Sequence, residues 1–217
     1  MPANESPCPI TFGGSTLGNK RHLCAFFNSA EEEYRVMLPF IKQGFDRGEK
    51  AFHIVDPQLR EDHLRQLERA GIDITAAEET NQLELRIWSQ AYLRDGHFDQ
   101  NRMLTLIQEV LETGRRQAFP LTRLVAYMEW ALEDRPGVDD LIEYEARLNY
   151  VLPRYEDPVV CTYDLPKFGG DVVMDIMRTH PVIIIGGFVQ ENPFFTPPDM
   201  FLEELRGRKA KRIATAN

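Results

Sequence analysis

The amino-acid sequence predicts an α/β fold in which helices cover both faces of a mostly parallel sheet. Short apolar runs alternate along the chain with longer segments whose apolar residues recur at helical spacing. This alternation is typical of parallel strands joined by crossover helices. The composition agrees, because 217 residues of which 43% are hydrophobic can bury one sizeable core. We therefore expect one main domain.

The first predicted strand, residues 22–27, leads into a helix over residues 31–47. Ser29 precedes this helix and Glu32 follows three residues later, which is the spacing of a capping box. Acidic residues in the first turn also favour the positive end of the helix. Gly48 ends the helix. We interpret the acids here mainly as helix-start residues.

The turn after this strand lacks the residues of a phosphate-binding loop. Residues 27–30 contain no glycine and no lysine, and three glutamates follow. A phosphate loop needs glycines so that the backbone can wrap the anion, and a lysine to neutralise it. A glycine-rich segment upstream, residues 13–20, has the wrong spacing and leads into a strand. We interpret residues 1–19 as a flexible leader and expect no grip on a triphosphate.

The second strand, residues 51–55, is stopped by Asp56-Pro57. A helix over residues 59–70 then closes with Gly71, and a third strand covers residues 83–88. The alternation of strand and helix thus continues.

The second half of the chain repeats this pattern. After a polar turn at Asp95-Gly96, residues 100–114 carry leucine and isoleucine side chains at helical spacing. The remaining predicted elements are strand 121–129, helix 138–152, strand 159–163, a short helix over 170–178 and strand 182–186.

Charge and hydropathy exclude several functional classes. The formal net charge of −9 argues against general nucleic-acid affinity, which depends on clustered Lys and Arg. Basic residues do gather in residues 203–217, which we interpret as the end of a short helix and a solvated tail. No apolar run has the length of a signal peptide or a membrane span, so we expect a cytoplasmic protein without membrane contact. Three cysteines, an odd number, argue against a disulfide framework.

The ends of the predicted strands indicate a binding site. In open parallel sheets, ligands bind beyond the carboxyl ends of the strands, so the residues there should share one rim. The aromatic residues at this rim would form apolar walls, and the polar ones would orient a small organic molecule. The predicted walls are Phe27, Trp130 and Tyr163, and the predicted polar contacts are Asn28, Glu129 and Asp164. The alternative is that the aromatic residues pack in the core and that the acids are turn residues.

Histidine and cysteine residues offer a second chemistry. His22 and Cys24 lie two apart on one strand and so point to the same face, and Cys161 or His180 could lie near them. These residue types ligate transition metals or haem, and a thiol beside a histidine can also be a nucleophile. A buried histidine and thiol are more often packing residues, so we expect no cofactor, with His22, Cys24 and Cys161 as the metal candidates. For His53 and His63 the sequence indicates no partner.

Six motifs, in the same order, resemble those of the MEDS family, the methanogen/methylotroph sensory domain, over about residues 20–202. They are His22-x-Cys24-x-Phe26-Phe27, Met128-Glu129-Trp130-Ala131-Leu132, Tyr144-Glu145-x-x-x-Asn149, Cys161-Thr162-Tyr163-Asp164, Thr179-His180-Pro181 and Asn192-Pro193-Phe194-Phe195. The resemblance implies a three-layer RecA-like fold of the KaiC type that has lost its nucleotide loop. It also implies a sensor of small hydrocarbon derivatives, and it supplies no catalytic residues.

The RecA-like strand order would place the first strand between the fifth and the sixth. Cys24 and Cys161 would then be neighbours, and Asn28, Glu129 and Asp164 would share the rim.

From these observations we expect a cytosolic, non-enzymatic sensory domain over residues 20–202 that binds a small, mostly apolar organic ligand. Members of the family usually carry an output domain. Here we expect a separate signalling partner, such as a histidine kinase or a sigma-factor regulator, and a homo-oligomer is compatible with this interpretation. Three alternatives stay open. They are a residual nucleotide-binding protein, a metal or haem sensor, and a pure interaction module. The first stays open because Glu129 ends a strand where RecA-like proteins hold magnesium.

Overall fold

The computed structural model describes residues 9–216, which form a seven-stranded sheet with helices on both faces and a small separate hairpin. The strands are β1 (Thr11–Phe12), β2 (Ser15–Thr16), β3 (His22–Phe27), β4 (Lys50–Val55), β5 (Leu83–Ile87), β6 (Thr122–Tyr127), β7 (Val159–Asp164), β8 (Val182–Ile185) and β9 (Phe188–Glu191). The helices are α1 (Ala30–Asp46), α2 (Arg60–Arg69), α3 (Ile74–Glu79), α4 (Gln100–Arg116), α5 (Leu141–Val151), α6 (Gly170–Thr179) and α7 (Pro198–Ala216). The predicted α/β fold is confirmed.

The strand order of the large sheet is β5-β4-β6-β7-β3-β8-β9. All neighbouring strands are parallel except β8 and β9, which form an antiparallel hairpin at one edge. Strand β3 lies between β7 and β8, as the family resemblance implied. The register pairs Cys24 with Cys161 across β3 and β7, so the predicted proximity of these two residues is confirmed.

Each face of the sheet has its own core, because side chains alternate along a strand. On β3, Cys24 and Phe26 pack against α4, α5 and α6, whereas Leu23 and Phe27 pack against the side covered by α1 and α2. All six residues of β3 are buried, as expected of a central parallel strand.

Three short strands, β1, β2 and β9, and one helix, α3, were not predicted from the sequence. Strand β9 follows a tight turn at Gly186 and Gly187, both with positive φ, and pairs with β8. The short helix α3 begins after Asp73, whose side chain accepts a hydrogen bond from the backbone N–H of Ala76. The predicted strand 121–129 ends at Tyr127, because the chain then forms a 3-10 turn over Met128–Leu132.

The chain termini also differ from the expected leader and tail. In the described part of the leader, Ile10, Phe12 and Leu17 are buried and β1 pairs with β2. Gly13 approaches the turn before β9 so closely that a Cβ atom would meet the Gly187 carbonyl oxygen at 2.0 Å. Residues 9–19 are therefore a packed hairpin and not a flexible leader, while residues 1–8, with Cys8, lie outside the described part.

The predicted basic tail is helical, because α7 continues to Ala216. Arg208 forms ion pairs with Asp175 and Glu204. Lys209 does the same with Asp140 and Glu143, at 3.0 Å each. These basic side chains thus hold the helix against the body of the domain.

Within residues 9–216, none of the helices combines the length and the apolar character needed to cross a lipid bilayer.

Candidate functional site

A cavity of about 70 Å³ opens at the carboxyl ends of β3, β4, β6 and β7, where the sequence predicted a site. We call it the rim cavity. Residues of the strand ends and of the first turns of α1 and α2 line it. They are Phe27, Ser29, Ala30, Glu33, Tyr34, Val55, Asp56, Leu59, Asp62, His63, Tyr127, Glu129, Asp164 and Lys167.

The turn that leads from β3 into α1 forms one wall of this cavity. Ser29 is the N-cap, and its hydroxyl accepts a hydrogen bond from the backbone N–H of Glu32 at 3.2 Å. The Glu32 carboxylate accepts from the backbone and the side chain of Asn28, at 2.9 and 3.1 Å. The Asn28 backbone N–H, which a phosphate at this turn would need, is therefore already hydrogen-bonded to the Glu32 carboxylate. This supports the expected lack of a phosphate-binding loop.

Carboxyl groups dominate the polar surface of the rim cavity. Glu33 lies in the first turn of α1 and is 9% exposed, and its Oε1 atom has no hydrogen-bond partner within the described chain. Burial raises the pKa of Glu33 to about 8, and the negative charges of Glu129 and Asp164 act in the same direction. Burial likewise raises the pKa of Glu129. Lys167 offsets part of this charge through an ion pair with Asp164 at 2.9 Å.

A buried histidine pair lies beside the carboxyl groups. Nδ1 of His53 is 2.9 Å from Nε2 of His63, and the Tyr34 and Tyr127 hydroxyls lie 3.1 and 3.2 Å from Nδ1 of His63. Burial lowers the pKa of His63 to about 4 and that of His53 well below its usual value. The pair is therefore neutral near pH 7. The two histidines for which the sequence indicated no partner are partners of each other.

Three of the six predicted binding residues line the rim cavity, namely Phe27, Glu129 and Asp164. Asn28 lies next to it, but its side chain is exposed and bonded to Glu32. The other two predictions are wrong in their placement, because Trp130 and Tyr163 are fully buried in the core on the opposite face of the sheet.

Trp130 packs against Tyr92 and Phe98, whose ring centroids lie 4.4 and 4.5 Å from its own. Tyr163 points toward α5, where its hydroxyl donates to Glu145 at 3.1 Å. Neither aromatic ring is a wall of the cavity.

Several of the cavity residues that were not predicted lie on helices α1 and α2, among them Glu33 and His63. Glu33 was read as one of three helix-start acids, although it shares the buried stripe of α1 with Met37, Phe40 and Ile41. An acid at such an apolar position indicates a special environment, and this spacing could have revealed it.

The metal candidates lie at the other end of β3. The structure brings together His22, Glu145, Cys161 and His180, all buried, with one possible ligand atom of each within 4.8 Å of all the others. Cys24 is a neighbour, but its thiol lies 3.8 Å from the Val182 carbonyl oxygen instead. We call these four residues the His-Cys-Glu cluster. His180 and Cys161 were both named as possible neighbours of His22, whereas Glu145 was not predicted as a ligand.

The Glu145 carboxylate is the centre of this cluster. Its Oε2 atom lies 3.2 Å from Nε2 of His22 and 3.3 Å from Nε2 of His180, and 3.8 Å from Sγ of Cys161. Although burial opposes the charge, these histidine contacts lower the pKa of Glu145 to about 2. Burial and the carboxylate raise the pKa of the Cys161 thiol.

A second cavity, of about 340 Å³, opens at the amino ends of β3 and β8. We call it the amino-end cavity. Its walls are mostly apolar and include Leu152, Pro181 and Phe195, and it reaches His22 and Asn149. It therefore lies next to the His-Cys-Glu cluster.

Comparison with known proteins gives a family match. Residues 21–181 match the family model described as MEDS, the methanogen/methylotroph, DcmR sensory domain. The transcriptional repressor DcmR of Methylorubrum extorquens is 22% identical to this chain over 168 residues. That alignment covers 77% of this chain and 60% of the repressor, so the chain spans about 60% of the length of this curated relative.

A solved structure shares the fold. The crystal structure of a KaiC-like protein from the archaeon Pyrococcus horikoshii OT3 aligns with a TM-score of 0.53. The alignment covers 75% of this chain and 69% of that chain at 13% sequence identity. At this identity the similarity shows the α/β fold alone, which is the RecA-like fold that the sequence motifs implied.

Proposed function

Because this chain belongs to the MEDS family of sensory domains, we propose that it senses a small organic molecule in the rim cavity and passes the signal to a regulatory partner. Its role is sensory and regulatory, and we place it in the cytoplasm as a domain that binds its ligand without converting it. The observation that carries the proposal is the rim cavity itself, where apolar walls surround a buried carboxyl oxygen that has no hydrogen-bond partner among the residues the structure describes.

The lining of the cavity indicates the chemistry of the ligand. Phe27, Val55 and Leu59 offer apolar contacts, while the Glu33 and Glu129 carboxyl groups accept hydrogen bonds. A volume of about 70 Å³ suits a molecule of only a few non-hydrogen atoms. The ligand that fits is a hydrocarbon derivative with a mostly apolar body and one or two hydrogen-bond donors.

The same lining disfavours a nucleotide. Five of the lining residues carry carboxyl groups, and Lys167, the one lysine among them, already pairs with Asp164. A triphosphate would meet this negative charge without glycine amides to hold it. The residual nucleotide-binding alternative is therefore the weaker one.

The partner is proposed from the relative. The similar protein of Methylorubrum extorquens is a transcriptional repressor, and it is longer than the aligned region. We propose that this domain likewise regulates transcription, through a partner that reads its ligand-bound state.

A thermal-shift panel on the full chain tests the ligand class. A compound that binds only the folded state raises the melting temperature by mass action. We expect stabilisation by members of a panel of short-chain alcohols and alkyl amines, and none by Mg-ATP. Stabilisation by Mg-ATP alone would contradict the proposal. Mass spectrometry of small molecules that co-purify with the native protein would identify the compound.

A cavity-filling variant locates the site. Leu59 lines the rim cavity and is 46% exposed, so Leu59→Trp should fill the cavity while the fold survives. Leu132 is also 46% exposed but lies outside the cavity, which makes Leu132→Trp the matched control. We expect the ligand-induced shift to vanish in the first variant and to persist in the second.

The amino-end cavity is the second candidate for the ligand, because its walls are more apolar and its volume is larger. Asn19 lines it and is exposed, so Asn19→Trp fills this cavity instead. A ligand-induced shift that survives Leu59→Trp and is lost in Asn19→Trp would move the sensory site to this end of the sheet.

A further inference from the structure

The His-Cys-Glu cluster has an unusual arrangement of hydrogen-bonding atoms. Its four residues come from β3, α5, β7 and the link between α6 and β8, and all four are at most 2% exposed. Two histidine nitrogens and a thiol face one carboxylate oxygen, Oε2 of Glu145. The question is which of these atoms carries a proton.

The tautomer of His180 follows from its backbone contact. Nδ1 of His180 lies 2.9 Å from the carbonyl oxygen of Ile176 and 2.9 Å from the Thr179 hydroxyl, which itself donates to that carbonyl at 2.7 Å. A carbonyl oxygen only accepts hydrogen bonds, so Nδ1 carries the proton. In the neutral ring, Nε2 then presents a lone pair, and within the described chain this buried atom has no hydrogen-bond partner. The lone pair of His180 faces Glu145 at 3.3 Å.

The tautomer of His22 follows from Asn149. The Asn149 side-chain amide donates to the carbonyl oxygens of Glu145, Ala146 and Thr179, at 3.2, 3.2 and 2.7 Å. These bonds fix its Oδ1 atom toward Nδ1 of His22, at 3.1 Å. Since Oδ1 can only accept, Nδ1 of His22 carries the proton, and its Nε2 lone pair also faces Glu145.

Two imidazole lone pairs and a carboxylate oxygen at these distances repel one another unless a proton or a metal ion lies among them. One proton on one imidazole would satisfy only one of the two contacts with Glu145. Protonating both rings would place two positive charges on His22 and His180, whose ring centroids are 4.0 Å apart. One metal ion among the donor atoms would satisfy all of them at once.

The surroundings have the pattern of a metal site. Histidine ligands usually donate their second ring N–H to a carbonyl or carboxylate, as His180 does to Ile176 and His22 to Asn149. The Tyr163 hydroxyl donates to Oε1 of Glu145, which orients the carboxylate. The amino-end cavity reaches His22 and offers an entry path.

We propose that His22, Glu145, Cys161 and His180 bind one divalent transition-metal ion, with Zn²⁺ as the best match. Imidazole, thiolate and carboxylate are the ligands that Zn²⁺ takes in protein sites, and four protein ligands complete its tetrahedral coordination. Such a closed site stabilises the fold. This ion would lie at the opposite end of β3 from the rim cavity, so the inference does not depend on a ligand in that cavity.

Cobalt substitution tests the proposal directly. The purified full chain is stripped of metal with a chelator and then titrated with Co²⁺, which reports tetrahedral coordination and thiolate ligation through visible and near-ultraviolet bands. We expect one Co²⁺ per chain, a thiolate-to-cobalt charge-transfer band, and displacement of Co²⁺ by Zn²⁺. A folded metal-free chain that develops no such bands would overturn the proposal, whatever the variants do.

Variants separate ligands from neighbours. Cys161→Ser should lose the charge-transfer band, and His180→Ala should weaken Zn²⁺ binding by more than the roughly 10- to 100-fold typical of outer-shell changes. Cys24→Ser is the matched control, because Cys24 is equally buried and pairs with Cys161 in register. It should keep the band and the affinity. Loss of the band in Cys24→Ser with retention in Cys161→Ser would contradict the assigned ligand set, and circular dichroism checks that each variant is folded.

Discussion

The rings of Tyr92 and Trp130 stack with centroids 4.4 Å apart and planes 11° from parallel. Trp130 lies in the 3-10 turn Met128–Leu132 directly after β6. This turn sends Glu129 into the rim cavity and Trp130 into the core on the other face of the sheet. Two neighbours in sequence therefore serve different parts of the molecule.

Trp130→Ala should destabilise the protein and not act as a clean ligand-binding change. Removing a fully buried tryptophan costs about 3–5 kcal/mol of unfolding free energy, because a cavity remains and aromatic contacts are lost. Urea denaturation measures the effect. The control Leu132→Ala, at an exposed position, should change the free energy by less than about 0.5 kcal/mol. A stable Trp130→Ala variant that no longer responds to ligand would instead indicate that Trp130 lines the rim cavity.

Glu33→Gln should stabilise the protein at alkaline pH. The folded-state pKa of about 8 exceeds the usual 4.5, so the folded state binds the proton more tightly and stability falls as pH rises through this window. Glutamine does not ionise, so the variant does not lose stability in this way as pH rises. We expect the variant to be more stable than the parent by roughly 1–4 kcal/mol at pH 9 and similar to it near pH 4.

Unfolding curves at several pH values give this comparison. Glu31→Gln, an exposed change in the same helical turn, is the control and should leave the pH profile unchanged. A stability difference between Glu33→Gln and the parent that does not change with pH would contradict a buried, protonated Glu33 carboxyl.

The histidine pair should make the protein sensitive to acid. The pKa of His63 falls from 6.5 to about 4 on folding, so the unfolded chain takes up the proton first as pH is lowered. Stability is therefore present above pH 6.5 and is lost between pH 6.5 and 4, by at most about 1.4 kcal/mol per pH unit. In His63→Gln this loss should be smaller, so the stability gap between the two proteins narrows on acidification. If the stabilities of the two proteins changed equally between pH 6.5 and 4, His63 would not titrate as described.

The buried ion pair of Arg123 and Glu49 should be costly to break. The Arg123 guanidinium is 1% exposed and also donates to the Phe40 carbonyl oxygen and, at 2.9 Å, to the Gln43 side chain. Glu49→Ala leaves this charge without its carboxylate, which costs about 3–5 kcal/mol of unfolding free energy.

The exposed pair of Arg60 and Glu61 provides the comparison. Glu61→Ala should cost no more than about 1 kcal/mol in the same denaturation experiment. Equal losses in the two variants would mean that the Arg123 charge finds another partner.

Much of the fold could be predicted because the strands are continuous apolar runs bounded by glycine and proline. The strands β3, β4 and β7 begin and end within one residue of their predicted limits. The edge strand β9 was missed because its residues, Phe188–Glu191, are largely exposed and so carry no burial pattern. The structure has a cavity at the predicted rim, where the carboxyl ends of the parallel strands meet.

The face of the sheet to which each strand-end side chain points could not be predicted without the register of the strands. In the structure Phe27 pairs with Asp164 and both line the rim cavity, while Tyr163 pairs with Phe26 and both point to the opposite face. A strand alternates its side chains, so a shift of one residue exchanges the two faces. Phe27 and Tyr163 could therefore not be walls of one cavity.

The buried glutamates were hidden for a different reason. Glu145 lies on the buried stripe of α5 with Leu141 and Leu148, as Glu33 does on α1. Charged residues at such positions are rare unless they are paired, protonated or bound to metal. The spacing marks them as special, but only the folded chain shows which partners surround them.

Strand β3 begins at His22 and ends at Phe27, and it is hydrogen-bonded to β7 on one side and β8 on the other. Its six residues span roughly 20 Å of extended backbone. Because it is hydrogen-bonded along both edges, the strand can move only together with its neighbours. Any energetic linkage between an ion at one end and a ligand at the other would thus be transmitted by collective motion. By thermodynamic reciprocity, each would change the affinity of the other by the same factor.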